Sequence, residues 1–146
     1  DENKTDDEVM LRLGQVYAAK EGKNPAEMSE DALTDVGRHV IDLWNEKAIV
    51  PDGWKVSPED CIHAWMKFGE KVFKNFHGEN IMVVSSNGVI RFAPYLTGDF
   101  NGFAGEHDIK VTTGGVCVFE REDDEENWHC TEWNVKPKKY FESLPD

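Results

Sequence analysis

Apolar residues recur at helical spacing through the first half of the chain. Leu13 and Tyr17 follow a capping box that begins at Thr5, so the pattern predicts a first helix there. An Asn-Pro pair at residues 24–25 predicts a cap and a first-turn proline for a second helix, which the Pro-Asp-Gly sequence at residues 51–53 ends. The apolar stripe predicted for this second helix consists of Met28, Ala32, Val36, Val40, Leu43 and Trp44.

A third helix is predicted after Ser57, because a serine, a proline and two acidic residues form a strong helix start. The next apolar run, residues 81–84, has a different pattern: it is short, rich in β-branched side chains and does not alternate with polar residues. It predicts a strand that is covered on both faces. The buried face of the third helix is expected at Cys61, Trp65, Phe68, Val72 and Phe76.

After a turn at residues 85–88, the pattern predicts a helix and a loop first and strands only from residue 109 onward. Residues 88–96 are predicted to form a short helix, and residues 98–108 a glycine-rich acidic loop. Three strands are then predicted, of which the last two are joined by an acidic loop over residues 121–127. These strands span residues 109–112, 116–120 and 128–135.

Helices around a sheet with one buried strand and an antiparallel end predict an α/β fold, with a layered sheet and helices on both faces. The chain has 146 residues, the commonest size of a domain, so residues 1–146 are predicted to form a single domain. Residues 136–146 carry three lysines and are predicted to be a flexible tail.

Charge and cysteine content narrow the classes of partner and cofactor. The formal net charge is -13, and a nucleic acid would be repelled by such a surface. No apolar run has the length of a membrane span and no signal-peptide pattern is present, so a membrane partner is not expected. None of the three cysteines lies in a CxxC or Cys/His metal spacing. We therefore expect no metal, no other cofactor and a reduced, cytoplasmic location.

The turn after the predicted buried strand is the strongest candidate for chemistry. In an open α/β sheet, ligands bind at the carboxyl ends of strands, where backbone N–H groups and the positive end of the next helix meet. Ser85, Ser86, Asn87 and Gly88 occupy that place and suit an anion such as phosphate, with Arg91 in support. The same residues also suit an ordinary turn, and Arg91 also suits a surface ion pair.

The stretch VVSSNGVIR, residues 83–91, resembles a signature of the histidine phosphatase superfamily, the phosphoglycerate mutase-like proteins, commonly written VVSHGGVIR. Ser86 stands where the family has its second histidine, and Asn87 where it has its first glycine. The resemblance covers nearly the whole chain but only the carboxyl part of the family's domain. It implies a phosphoglycerate mutase-like fold that is incomplete here. Softer resemblances lie at residues 1–14, 51–53 and 113–116.

This resemblance implies an enzyme that hydrolyses or transfers the phosphoryl group of a small phosphorylated metabolite. Family members attack phosphorus with the histidine of an Arg-His-Gly motif, and this chain has no such motif. Its nearest match, residues 38–40, lies within a helical pattern. The chain alone is therefore expected to be inactive. Ser86 is the family's catalytic position, and the implied phosphate-binding residues are Ser85, Asn87, Gly88 and Arg91.

Two interpretations of the missing motif stay open. In the first, the chain is the carboxyl part of a larger protein, and the missing half of the domain is a partner that covers the edge of residues 81–84. In the second, the chain is a non-catalytic α/β module that binds an anion or another protein. A homo-oligomer is compatible with either interpretation. Outside the motif, His107 is the one histidine that could approach the turn.

Overall fold

Two clusters of buried hydrophobic side chains divide the chain, of which this computed structural model describes residues 1 and 3–145. The clusters belong to two units, Asp1–Val56 and Ser57–Asp146. The prediction of a single domain over residues 1–146 stays a prediction. The first cluster consists of Leu13, Ala18, Leu33, Val40, Trp44 and Ala48, and the second of Phe92, Ala93, Leu96, Phe100, Ile109 and Val111.

The first unit begins with helix α1, Asp6–Lys20, at the place that the sequence predicts. Its capping box is present. The Thr5 hydroxyl accepts a hydrogen bond from the N–H of Glu8, and the Glu8 carboxylate accepts one from the N–H of Thr5. Two N–H groups that the helix itself leaves unpaired are thereby satisfied.

The second helix begins later than predicted. Asn24 caps a short 3₁₀ helix, Pro25–Glu27, and helix α2 spans Glu30–Lys47. The cap of α2 is Ser29, whose hydroxyl accepts a hydrogen bond from the N–H of Ala32. The predicted stripe is correct only in part, because the fully buried positions of α2 are Leu33, Gly37, Val40 and Trp44.

Helices α1 and α2 cross at two glycines. A Cβ atom added to Gly14 would lie 1.8 Å from the carbonyl oxygen of Leu33, and one added to Gly37 would lie 1.8 Å from that of Met10. These pairs show that the helices run antiparallel where they cross and that their backbones are in direct contact. No side chain larger than hydrogen fits at either position without moving a helix.

Hydrogen bonds join the two ends of the first unit. The Asp1 carboxylate accepts hydrogen bonds from the guanidinium of Arg12 and from the indole N–H of Trp54. Arg12 also donates to the carbonyl oxygen of Asp52, and the Tyr17 hydroxyl accepts a hydrogen bond from the N–H of Asp52. The Pro-Asp-Gly segment at residues 51–53 is therefore fixed against α1.

The second unit begins with helix α3, Pro58–Asn75, which Ser57 caps as predicted. The predicted buried face of α3 is wrong in part, since Phe68 and Phe76 are exposed and Gly69 is the fully buried residue. The sheet layer that would cover this face is not formed by the described residues.

Residues 81–84 do not form the predicted covered strand. They belong to no sheet of the described residues, and their side chains are exposed, with Met82 at 88% and Val84 at 84%. None of their backbone groups is hydrogen-bonded to another described residue. A covered strand needs neighbouring strands to satisfy these groups, and no neighbour is present in the part of the chain that the structure describes.

The segment after the turn is more helical than predicted. Helix α4, Asn87–Ile90, is a single turn, and a 3₁₀ helix follows at Ala93–Thr97, so the predicted short helix is broken in two. The predicted glycine-rich loop is wrong, because it contains helix α5, Phe100–Glu106. The Asp99 carboxylate caps α5 by accepting a hydrogen bond from the N–H of Gly102.

The chain ends in the predicted hairpin and a further helix. Strands β1, Val116–Glu120, and β2, His129–Val135, pair antiparallel and are joined by the acidic loop. The strand predicted over residues 109–112 is absent from this sheet, which has two strands in the described structure. Helix α6, Pro137–Ser143, lies in the segment predicted to be a flexible tail, and its flexibility stays a prediction.

The fold class is therefore shown only in part. Helices combine with a small antiparallel sheet, so a mixed α/β content is correct. A layered sheet with helices on both faces is not formed by the described residues, and the phosphoglycerate mutase-like architecture stays a proposal.

We expect Gly14→Ala to lower the free energy of unfolding by on the order of 2 kcal/mol, because the new methyl group would collide with the backbone of Leu33. At a helix position with free space the same substitution raises the free energy of unfolding by about 0.5 to 1 kcal/mol. A decrease would therefore indicate that the two helices are in contact at Gly14. Urea unfolding of the whole chain measures the effect. Gln15→Ala, at the exposed neighbouring position, is the control and should change stability little. An unchanged or higher stability of Gly14→Ala would contradict the crossing.

Candidate functional site

The predicted phosphate turn lies at the amino end of α4. Ser86 is the cap of this helix, and its carbonyl oxygen accepts hydrogen bonds from the N–H groups of Val89 and Ile90 at 3.0 and 2.8 Å. The Ser86 hydroxyl makes no capping hydrogen bond, and the side chains of Ser85 and Ser86 are both exposed. Both hydroxyls can therefore reach a ligand in solution.

The first N–H groups of α4 are also free to bind an anion. Among the described residues, the N–H groups of Asn87 and Gly88 have no hydrogen-bond partner. Gly88 has open space around it, since an added Cβ atom would meet only the Ser86 hydroxyl, at 3.9 Å. Donors and room for a small anion thus occur together at this turn.

The Asn87 side chain is directed toward the interior and not toward this space. Its carbonyl oxygen accepts a hydrogen bond from the N–H of Val111 at 2.9 Å. The backbone carbonyl oxygen of Asn87 accepts a second one from Nε of Arg91 at 3.2 Å. Asn87 therefore joins the turn to a segment more than twenty residues away, as the separation of 24 positions shows.

Arg91 is buried, which rules out the surface ion pair that the sequence left open. Its exposed fraction is 1%, and burial lowers the pKa of its guanidinium to about 10, while the charge of Asp108 acts in the opposite direction. The side chain is still protonated at neutral pH. Through Asn87 it supports α4 from within, and it is not in the open space at the turn.

Residues 109–112 form the inner wall behind the turn. Asparagine side chains satisfy three of their backbone groups: the Asn87 side-chain oxygen accepts a hydrogen bond from the N–H of Val111, and that of Asn134 accepts one from the N–H of Thr112 at 2.9 Å. The Asn134 amide donates in turn to the carbonyl oxygen of Lys110 at 3.4 Å. These contacts take the place of strand partners that the sequence pattern predicted.

Sequence reasoning missed a second support of the turn. The indole N–H of Trp65, on α3, donates to the carbonyl oxygen of Val89 at 2.9 Å. The position of Trp65 on the apolar stripe indicated packing but gave no sign of this partner. Helix α4 is thus held from α3 on one side and from residues 109–112 on the other.

The histidines do not supply a nucleophile at this turn. His39 lies exposed within α2, as its helical pattern predicted. His107 stacks on Phe103 with ring centroids 4.4 Å apart, and no contact joins it to residues 85–88 among those the structure describes. The prediction that His107 approaches the turn therefore gains no support.

Neither a metal-binding cluster nor a membrane-spanning helix occurs among the described residues. They contain no group of three or more His, Cys, Asp or Glu side chains that could hold a metal ion. Nor does this part of the chain contain a helix whose length and apolar character would allow it to cross a membrane.

The comparisons with known proteins identify no relative: no protein-family model, no curated protein and no solved structure matches this chain. The resemblance to histidine phosphatases therefore rests on the sequence VVSSNGVIR and the softer matches around it. What that resemblance implies for the activity is accordingly a proposal.

The hairpin that holds residues 110–112 contains a titratable group whose ionisation opposes folding. Burial, together with the charge of neighbouring Cys117, raises the pKa of the Cys130 thiol to about 12 from an ordinary value of 9.0. Between these two pH values the unfolded chain has lost this proton and the folded chain has kept it. The free energy of unfolding should therefore fall as the pH rises above 9.

We expect Cys130→Ser to reduce this loss of stability, because a serine hydroxyl does not ionise in that range. Urea unfolding at pH 8 and pH 10 measures the difference in each variant. Cys61→Ser is the control, since the Cys61 thiol is less buried and its removal should change the pH dependence less. Identical pH dependence of the wild type and Cys130→Ser would contradict the prediction.

Proposed function

We propose that this chain is the carboxyl part of a histidine-phosphatase-like, phosphoglycerate mutase-like protein that hydrolyses or transfers the phosphoryl group of a small phosphorylated metabolite. One observation carries the proposal most directly: the hydroxyls of Ser85 and Ser86 are exposed at the start of α4, while Asn87 and Arg91 beside them are directed inward. This division suits a turn whose outer donors bind an anion and whose inner side chains hold it in place.

In this proposal each residue of the turn has a defined role. Ser85 and Ser86 donate their hydroxyl groups to phosphoryl oxygens, together with the unpaired N–H groups of Asn87 and Gly88. Ser86 replaces a histidine of the family, so a neutral donor stands in place of a charged one. That exchange costs on the order of 1 to 2 kcal/mol, or about tenfold in rate. Arg91 contributes by supporting the helix.

The nucleophile belongs to the missing half of the domain. An Arg-His-Gly motif on a preceding strand would supply the attacking imidazole, and that strand would also pair with residues 81–84. The exposure of these four apolar residues on both faces is what an interior strand without its neighbours would show. The proposal includes a cytoplasmic location, no metal or other cofactor, and possible assembly as a homo-oligomer.

Inorganic phosphate should bind this chain at the turn, weakly, with a Kd of about 1 mM or above, because only neutral donors face the anion. An NMR titration should shift the amide signals of Asn87 and Gly88 most. Replacing both Ser85 and Ser86 by Ala should weaken binding by about tenfold. Thr113→Ala, which removes an exposed hydroxyl elsewhere in the same unit, is the matched control and should leave binding unchanged.

The same chain should not hydrolyse a generic phosphate ester, since it lacks the nucleophilic histidine. Phosphate-dependent shifts confined to residues outside 85–91, or none at all, would contradict the proposed site.

A second candidate function is favoured by one observation, the exposed apolar segment at residues 81–84. Here the chain is a non-catalytic α/β module that adds this segment as a strand to another protein or to a second copy. Unpaired N–H and C=O groups on an extended, apolar stretch attract further strands, because pairing satisfies them and buries the side chains.

This second function predicts association through the segment. The chain should associate increasingly with concentration in light scattering coupled to size exclusion. Met82→Lys combined with Val84→Lys should abolish association, because charged side chains on the most exposed face oppose pairing. Ile49→Lys, which places the same charge on an exposed apolar position of the first unit, is the control and should not. A chain that is monomeric at every concentration would argue against self-pairing.

A further inference from the structure

Asn87 occupies a central place among the contacts behind the turn. Its side-chain oxygen is bound to the N–H of Val111, and its backbone oxygen is bound to the buried guanidinium of Arg91. One residue of α4 thus contacts both the inner wall and the largest fully buried side chain of the unit.

The segment to which Asn87 is bound is itself held rigidly. Ile109 and Val111 are buried, and the side chain of Asn134 binds the backbone of this segment from the opposite side, at Lys110 and Thr112. Asn134 adopts a left-handed backbone conformation, with φ at 52°, which asparagine tolerates better than most residues. The inner wall is therefore fixed to β2, and it can serve as a reference to which the turn is attached.

The orientation of the Asn87 side-chain amide indicates that this side chain holds the turn in place and does not bind the anion. Its oxygen cannot donate to an anion and is already engaged with Val111, which directs the side chain toward the interior. Ser86, the preceding residue, keeps its hydroxyl exposed. Replacing the Asn87 side chain would therefore change the affinity for an anion indirectly, by displacing the hydroxyl of Ser86.

We propose that the Asn87 side chain has a positioning role: it holds the turn 85–88 against residues 109–112 and so fixes the hydroxyls of Ser85 and Ser86 for phosphate, while only the backbone N–H of Asn87 faces the phosphate. The inference deepens the proposed function and rests on it for its effect on binding. It replaces the direct phosphate contact that the sequence assigned to the Asn87 side chain.

The structural part is tested by hydrogen exchange of the Val111 amide in the whole chain. In Asn87→Ala this amide loses its acceptor and should exchange about tenfold faster or more. Asn87→Asp keeps an acceptor oxygen at the same place and should retain most of the protection. Unchanged exchange in Asn87→Ala would overturn the proposal, whether or not phosphate binds.

The functional part uses inorganic phosphate as the probe in an NMR titration. Replacing Val111 by its α-hydroxy acid analogue removes the N–H group that donates to the Asn87 side chain, and it also weakens the Lys110 carbonyl oxygen as an acceptor for Asn134. This change and Asn87→Ala should each weaken phosphate binding by about tenfold, and together by no more than either alone. If the analogue binds phosphate as the wild type does while Asn87→Ala does not, the Asn87 side chain is a direct ligand and the proposal is wrong.

Failure of the two parts can be told apart. A wild-type chain that binds no phosphate would refute the proposed function and with it the effect of Asn87 on binding. The exchange of the Val111 amide would still show whether Asn87 holds the turn. Faster exchange with additive losses of phosphate affinity would separate the two roles and overturn the positioning mechanism.

Discussion

Satisfaction of backbone hydrogen bonds decides the architecture of the second unit. In residues 109–112 the side chains of Ile109 and Val111 are buried without a neighbouring strand, and Asn87 and Asn134 provide hydrogen-bond partners for the backbone there. Residues 81–84 have no such partners among the described residues, and they lie exposed. Two segments predicted to be strands thus have different environments, because side chains pair with the backbone of only one of them.

The same constraint connects the turn to the rest of the unit. Helix α4 is one turn long and could not persist alone, since a helix of that length has almost no internal hydrogen bonds. Two side chains fix it. That of Asn87 accepts a hydrogen bond from the N–H of Val111, and that of Trp65 donates one to the carbonyl oxygen of Val89. An exposed pair of serines on a firmly held turn is an arrangement in which donors are positioned before a ligand arrives.

The sequence predicts correctly those elements whose hydrogen bonds join residues close in the chain. It does not predict those whose hydrogen-bond partners are distant in the chain. The caps at Thr5 and Ser57 and the hairpin followed from local pattern, because their hydrogen bonds join residues only a few positions apart or two strands joined by one short loop. The strand predicted at residues 81–84 is not formed, because a covered strand needs neighbours that the described residues do not provide. In the site, phosphate binding at the exposed serines stays a prediction, whereas the inward roles of Asn87 and Arg91 depend on partners such as Val111 that no local motif indicates.

We propose that residues 85–88 are half of a phosphoryl-transfer site and that the other half lies on a strand beside residues 81–84. The most direct test is a crystal structure, with orthovanadate bound, of this chain joined to the Arg-His-Gly half proposed to precede it. We expect vanadate to be bonded to the histidine of that motif and hydrogen-bonded to Ser86, with residues 81–84 paired in a sheet. Vanadate bound away from the turn, or residues 81–84 still exposed, would contradict it.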